Sequence, residues 1–155
     1  PALYPLVDEC DARDLVIVQI NPLVRAEVPK SARDILNRVN ELSFNASLLK
    51  ELRTILLLKQ LIDVEGLERE RYRDMLIHRI HAEAEMAALG VSSKLNAEWA
   101  FLRHLHDVGW QAADRFLAEH RDDLGARSTY PLDHVLWGSV RPAAIADGTG
   151  AENAA

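Results

Sequence analysis

The chain has 155 residues, 48% of them hydrophobic, and a formal net charge of −6, enough apolar content to bury a real core. Its acidic and basic residues are interspersed, which excludes the concentrated basic face that a nucleic-acid backbone requires, so no nucleic-acid partner is expected. Cys10 is the only cysteine, which excludes an internal disulfide, and no apolar run approaches membrane-spanning length.

Pro1 to Glu9 fits a short helix in which proline stands where a missing N–H is harmless. Asp11 to Asp14 reads as a polar turn. Leu15-Val16-Ile17-Val18-Gln19-Ile20 is short, apolar and β-branched, and Asn21-Pro22 stops it. Because it does not alternate, it predicts a strand buried on both faces, as in a parallel sheet covered by helices. Pro22 to Lys30 follows as a loop. Ser31 with Asp34 three residues on makes an N-cap, and Ile35, Val39 and Leu42 give an amphipathic helix to about Ser43. A second helix is predicted from Ala46 to Ile62, with leucines and isoleucines on more than one face and therefore neighbours on two sides. Glu65-Gly66 ends it, and Glu68 to Asp74 is a mixed-charge stretch expected to be exposed.

Met75-Leu76-Ile77-His78-Arg79-Ile80 fits a short strand, with a continuing helix fitting nearly as well. Ala82 to Leu89 reads as a helical turn closed by Gly90. A helix from Leu95 to His106, capped by Ser92 or Ser93, is expected to break at Asp107 and Gly109. A last helix then runs to Asp123, with Ala113, Phe116, Leu117, His120 and Leu124 on its inner side and Gly125 as terminator. From Arg141 onward there is no periodicity, and a disordered tail is predicted. The opening residues show no initiator methionine, basic n-region or apolar h-region, and read as the start of a truncated product or partial reading frame.

Gly90-Val91-Ser92-Ser93-Lys94 approaches a nucleophile elbow, but Lys94 replaces the second glycine, and Gly138-Ser139 lacks the framing. The ordinary reading of Ser92 and Ser93 is helix capping. His78 and His81, three apart, face opposite sides if on a strand, and His104 and His106 diverge on a helix. With no H-E-x-x-H and no second cysteine, ordinary histidines outweigh a metal site. Asn37, Asn40 and Asn45 are expected to bond a neighbouring loop or sheet edge. Arg33, Arg38 and Arg53 are expected to pair with Asp34, Glu41 and Glu51, with an anionic head group as the alternative. Trp99, Phe101, Trp110 and Phe116 read as core aromatics, with a membrane-facing patch as the minority reading.

Three segments carry a resemblance. Pro1-Ala2-Leu3-Tyr4-Pro5-Leu6 with Asp14 to Pro22, Pro29 to Asn45, and Gly90 to Trp99 together resemble the end of the catalytic domain and the helical C-terminal extension of bacterial patatin-like phospholipases. The likeness covers roughly residues 1–125. It implies a lipid acyl hydrolase, a serine esterase that cleaves acyl esters through an acyl-enzyme with a Ser–Asp dyad. It also implies that the Gly-x-Ser-x-Gly elbow, the oxyanion loop and the Asp-Gly-Gly stretch all lie upstream, so that no catalytic, cofactor-binding or metal residue falls in this chain. The expected fold is α/β by parentage and mostly α as given, with one or two strands and about five helices. On this reading residues 1–30 end the catalytic domain, 31–130 form the extension, and 131–155 are tail. The partner expected through the parent is a lipid or acyl-ester substrate, with membrane-surface contact possible and oligomeric state open. The competing reading is a non-enzymatic helical module that binds a protein partner or a membrane surface.

Overall fold

A computed structural model of the chain describes residues 3–25, 28–66 and 73–133. Two strands and four α-helices lie within them: α1 (Tyr4–Glu9), β1 (Asp14–Gln19), α2 (Ala32–Glu65), β2 (Leu76–His81), α3 (Glu83–Ala87) and α4 (Trp99–His120). Short 3-10 turns occupy Val91–Leu95 and Arg121–Asp123. The fold is mostly helical around one two-stranded sheet. The expected tail from residue 141 and most of the charged stretch after Gly66 lie outside the described residues.

β1 and β2 pair in parallel, with Val16 opposite His78 and Ile17 opposite Arg79. Parallel strands need a long crossover, and α2 supplies it. Aligned residues share a face, so Leu15, Ile17 and Gln19 look one way with Ile77, while Val16 and Val18 look the other way with Leu76 and His78. The first face is covered by the second half of α2, whose Leu48, Leu52, Ile55 and Leu56 pack with Leu3, Leu15, Ile17, Met75, Ile77, Tyr130 and Leu132. Residues on both sides of position 30 therefore enter one core. The second face is covered by α4 over β2, where the Phe116 ring meets His78 edge-on at 6.2 Å.

Two helices expected to break do not. The predicted stop at Phe44-Asn45 lies inside α2, which runs unbroken for 34 residues, about 51 Å at ~1.5 Å per residue. No glycine or proline interrupts it, and Asn45 is used sideways: its buried amide donates to the Pro22 carbonyl at 2.9 Å. The helix starts on Ser31, whose hydroxyl accepts from the Asp34 amide, and ends on Gly66 at φ +67°, a left-handed position that suits glycine. Likewise Asp107 and Gly109 fall within α4, a single helix of 22 residues. A glycine in an exposed helix interior costs only about 1 kcal/mol, which a helix of that length absorbs. Nor do Ser92 and Ser93 cap α4: its N-cap is Glu98, with no side-chain cap, and both serines lie in the preceding 3-10 turn.

Ion pairs fix the connections. Arg25 grips Glu41 with two nitrogens and donates to the Ala87 carbonyl, so one side chain ties the loop after β1 to α2 and α3. Arg38 joins the same carboxylate at 3.3 Å, as expected from sequence. Arg33 instead donates to Ser92. Glu51 accepts the Leu3 and Tyr4 amides at the start of α1, where a carboxylate suits unpaired N–H groups.

Replacing Asn45 tests the sideways tether. Asn45→Ala leaves the buried Pro22 carbonyl without its donor, and should lower unfolding free energy by about 1–3 kcal/mol in urea titration while helix content by circular dichroism stays unchanged.

Candidate functional site

The strand predicted to be buried on both faces is buried on one. Leu15, Ile17 and Gln19 are covered, but Val16 is 42% exposed, Val18 70% and the adjoining Ile20 67%. The two edges of the sheet are also unlike. On β2 the Ile77 amide donates to Ser128 Oγ at 3.1 Å, and the Ile77 carbonyl accepts the Thr129 and Tyr130 amides, so residues 128–130 strap that edge. Beside β1, the only strand among the described residues is β2. A second apolar surface adjoins the first turns of α2, where Ile35, Leu36, Val39 and Leu42 are all exposed. The amphipathic pattern expected there is present, but nothing among the described residues covers it.

The strap is held by a buried histidine. The His78 ring is wholly buried, with Nε2 2.9 Å from Asp14 Oδ1 and Nδ1 3.1 Å from Thr129 Oγ1. The carboxylate can only accept, so Nε2–H donates to it, and Nδ1 pairs with the threonine hydroxyl. Asp14 Oδ1 also accepts the Gly125 amide at 2.7 Å. That bond, with help from His78, holds the Asp14 carboxyl below the usual carboxylate range despite partial burial. Hydroxyl, imidazole and carboxylate in series have the connectivity of a nucleophile relay. Here each contact runs to a different segment (β1, the turn at Gly125 that follows α4, the strap), so the cluster clamps the sheet. Asp14 closes the stretch expected as a polar turn, and no sequence motif marks Thr129. Only the parallel register, which puts Asp14 and His78 on one face, brings the three together.

A cleft of about 930 Å³ opens where the loop after β1 and the turn after α3 meet α2. Arg25, Lys30 and Arg38 line it with Asp34, Val28 and Leu89. Both arginines already bond Glu41, and Arg25 in turn draws the Glu41 carboxyl below its ordinary range. None of its described lining residues is a serine, cysteine or histidine.

The remaining candidates lie apart. Ser93 Oγ donates to the Gly90 carbonyl at 2.7 Å, and both serines sit in a 3-10 turn between two helices, not in a strand-to-helix elbow. Ser139 lies outside the described residues. His81 faces away from His78, and burial pushes its ring pKa down. Among the described residues no three His, Cys, Asp or Glu side chains gather as a metal site, and no helix is long and apolar enough to cross a membrane. The aromatic residues divide against expectation: Phe116 is core, whereas Trp99 and Trp110 are exposed. No family model, curated protein or solved structure matches the chain.

The Asp14 clamp makes stability depend on acid. Asp14 and Glu41 both have depressed carboxyl pKa values in the folded chain, so their stabilisation is full above about pH 4 and is lost as pH falls through the folded values. Thermal unfolding midpoints should ease below about pH 6.5, where protonation opposes the buried His81 ring, and fall more steeply below about pH 5 as the two carboxylates are protonated, and Asp14→Asn should lower the neutral-pH midpoint and flatten the steeper fall.

Proposed function

We propose that the chain is the C-terminal portion of a patatin-like lipid acyl hydrolase and supplies β1 to that enzyme's central sheet, with a Ser–Asp dyad and oxyanion loop carried by upstream polypeptide. One observation carries the reading: β1 is a parallel strand whose Val16 and Val18 stand exposed on one face and whose outer edge has no strand beside it among the described residues. Parallel sheets bury both faces, and long apolar edges invite pairing, so a missing neighbour over β1 accounts for both features. The uncovered start of α2 points to the same absent contact. Fold parentage is then α/β, the substrate class is a lipid acyl ester, and the helices after residue 30 form an extension.

The exposed tryptophans of α4 favour a second reading, a non-enzymatic helical module with a binding face of its own. Val18→Lys separates the two. On the first reading the substitution changes the stability of the 155-residue chain by no more than about 0.5 kcal/mol, yet costs several kcal/mol in the upstream-extended protein, where position 18 is buried. On the second it is neutral in both. Chemical denaturation of the two polypeptides measures this directly.

The reading frame ahead of the Pro1 codon provides an independent check. It should encode Asp-Gly-Gly close by and Gly-x-Ser-x-Gly further back, while the purified chain should not turn over p-nitrophenyl butyrate above buffer. An in-frame stop codon ahead of both motifs, or clear turnover by the chain alone, would overturn the proposal.

A further inference from the structure

We infer that α4 is a self-association surface, and that a second copy of this chain packs antiparallel along it through Trp99, Leu102, His106, Trp110 and Leu117. The inference stands on α4 alone and does not depend on the parentage proposed above. At about 100° per residue, Ala112 and Phe116 mark the face turned to the sheet, and both are buried. The five named residues, with Ala113, recur every three or four positions along a different stripe. Of these, Trp99 is 73% exposed and Trp110 67%, with Leu102 and Leu117 also exposed. The His106 ring stacks on Trp110 at 6.3 Å, which extends the flat apolar surface along the middle of the helix.

The order of the stripe identifies the occupant. Turned end for end about Val108, Trp99 falls on Leu117, His106 on Trp110, and Leu102 beside Ala113. Large groups therefore meet smaller ones, and no apolar residue of the stripe meets a charge. Antiparallel two-fold packing sets each flank of one helix against the same flank of its partner. Arg103 and Asp114 share a flank, and in this register Arg103 of each copy stands beside Asp114 of the other. Among the described residues neither has an ion-pair partner within its own chain, whereas Asp107, farther round the helix, is held by its own His106 at 3.2 Å. Gly109 stands next to the midpoint with open space where a Cβ would project, so two helices can approach closely there. An unrelated partner has no reason to match this mirror order of size and charge, and neither does a bilayer. A single helix–helix seam lies at or below the ~1,200 Å² lower end of stable interfaces, so the dimer should form in the micromolar range.

Sedimentation velocity of the full 155-residue chain from about 5 to 200 µM, a range chosen to bracket micromolar association, tests this. A concentration-dependent shift from monomer to dimer is expected. Arg103→Asp should weaken it about tenfold by turning two attractive pairs repulsive, and Arg103→Asp with Asp114→Arg should restore it. Both positions are on the helix surface, and circular dichroism with the rescue by the double variant distinguishes lost association from lost folding. Repeating the series with Val18→Lys separates this contact from association through the edge of β1. A monomer throughout the range would overturn the inference, as would a dimer indifferent to Arg103→Asp. So would a monomer whose tryptophan emission shifts blue on phosphatidylcholine–phosphatidylglycerol vesicles, since the occupant would then be lipid.

Discussion

A parallel strand pair has four half-faces, and parallel sheets are as a rule covered on all of them. In this chain three are. The second half of α2 lies under both strands, with Leu52 and Ile77 among its most deeply buried side chains, and α4 places Phe116 over His78. The fourth, Val16 and Val18 on the outer side of β1, stays open. Everything that makes the molecule look like part of a larger sheet follows from that one imbalance. The crossover helix is long enough to reach well past the pair it connects, and its leading turns carry an apolar stripe with no counterpart in the described structure.

The two edges of the sheet are treated in opposite ways, and the chemistry explains the difference. At β2 the strap satisfies the Ile77 amide and carbonyl, and a buried imidazole secures the strap by bonding a hydroxyl on one side and a carboxylate on the other. Buried polar groups at this density are costly unless they are paired, and at Ile77 both backbone groups of this edge are already taken by the strap. Among the described residues no comparable device guards β1. Natural edge strands are usually blunted by lysine, proline or a bulge, but Val16, Val18 and Ile20 present none of these. An edge built to face solvent would carry such protection, whereas an edge built to be covered would not need it.

Much of this was legible in the sequence. The unbroken β-branched run at Leu15 announced both the strand and its parallel pairing, and the Ser31 cap and Gly66 stop located the ends of α2. His78 and His81, three apart on β2, do face opposite sides of the sheet. What failed was local punctuation. Asn45 and Gly109 have the chemistry of helix breakers, but Asn45 spends its amide on Pro22, and the cost of Gly109 is spread along α4. The exposure of Trp99 and Trp110 could not be read from periodicity, because the sequence holds two apolar stripes on one helix and does not say which faces inward. The Asp14–His78–Thr129 clamp was invisible for a stricter reason: its members are far apart in sequence and meet only once the register of two strands is set.

The two uncovered surfaces differ in kind, and the difference bears on what each can meet. The face of β1 and the start of α2 present aliphatic side chains, the composition of a domain core cut open. Surfaces of that sort belong to permanent contacts. The stripe on α4 is narrower, aromatic at its centre and flanked by Arg103, Asp107 and Asp114, which is the pattern of a contact that forms and separates, with an apolar middle and a charged rim. If the upstream polypeptide closed both surfaces, α4 would have no use for flanking charges arranged in mirror order. On the proposed reading the aliphatic surface is the one that completion of the sheet would cover, and the aromatic stripe is left for the second copy inferred for α4.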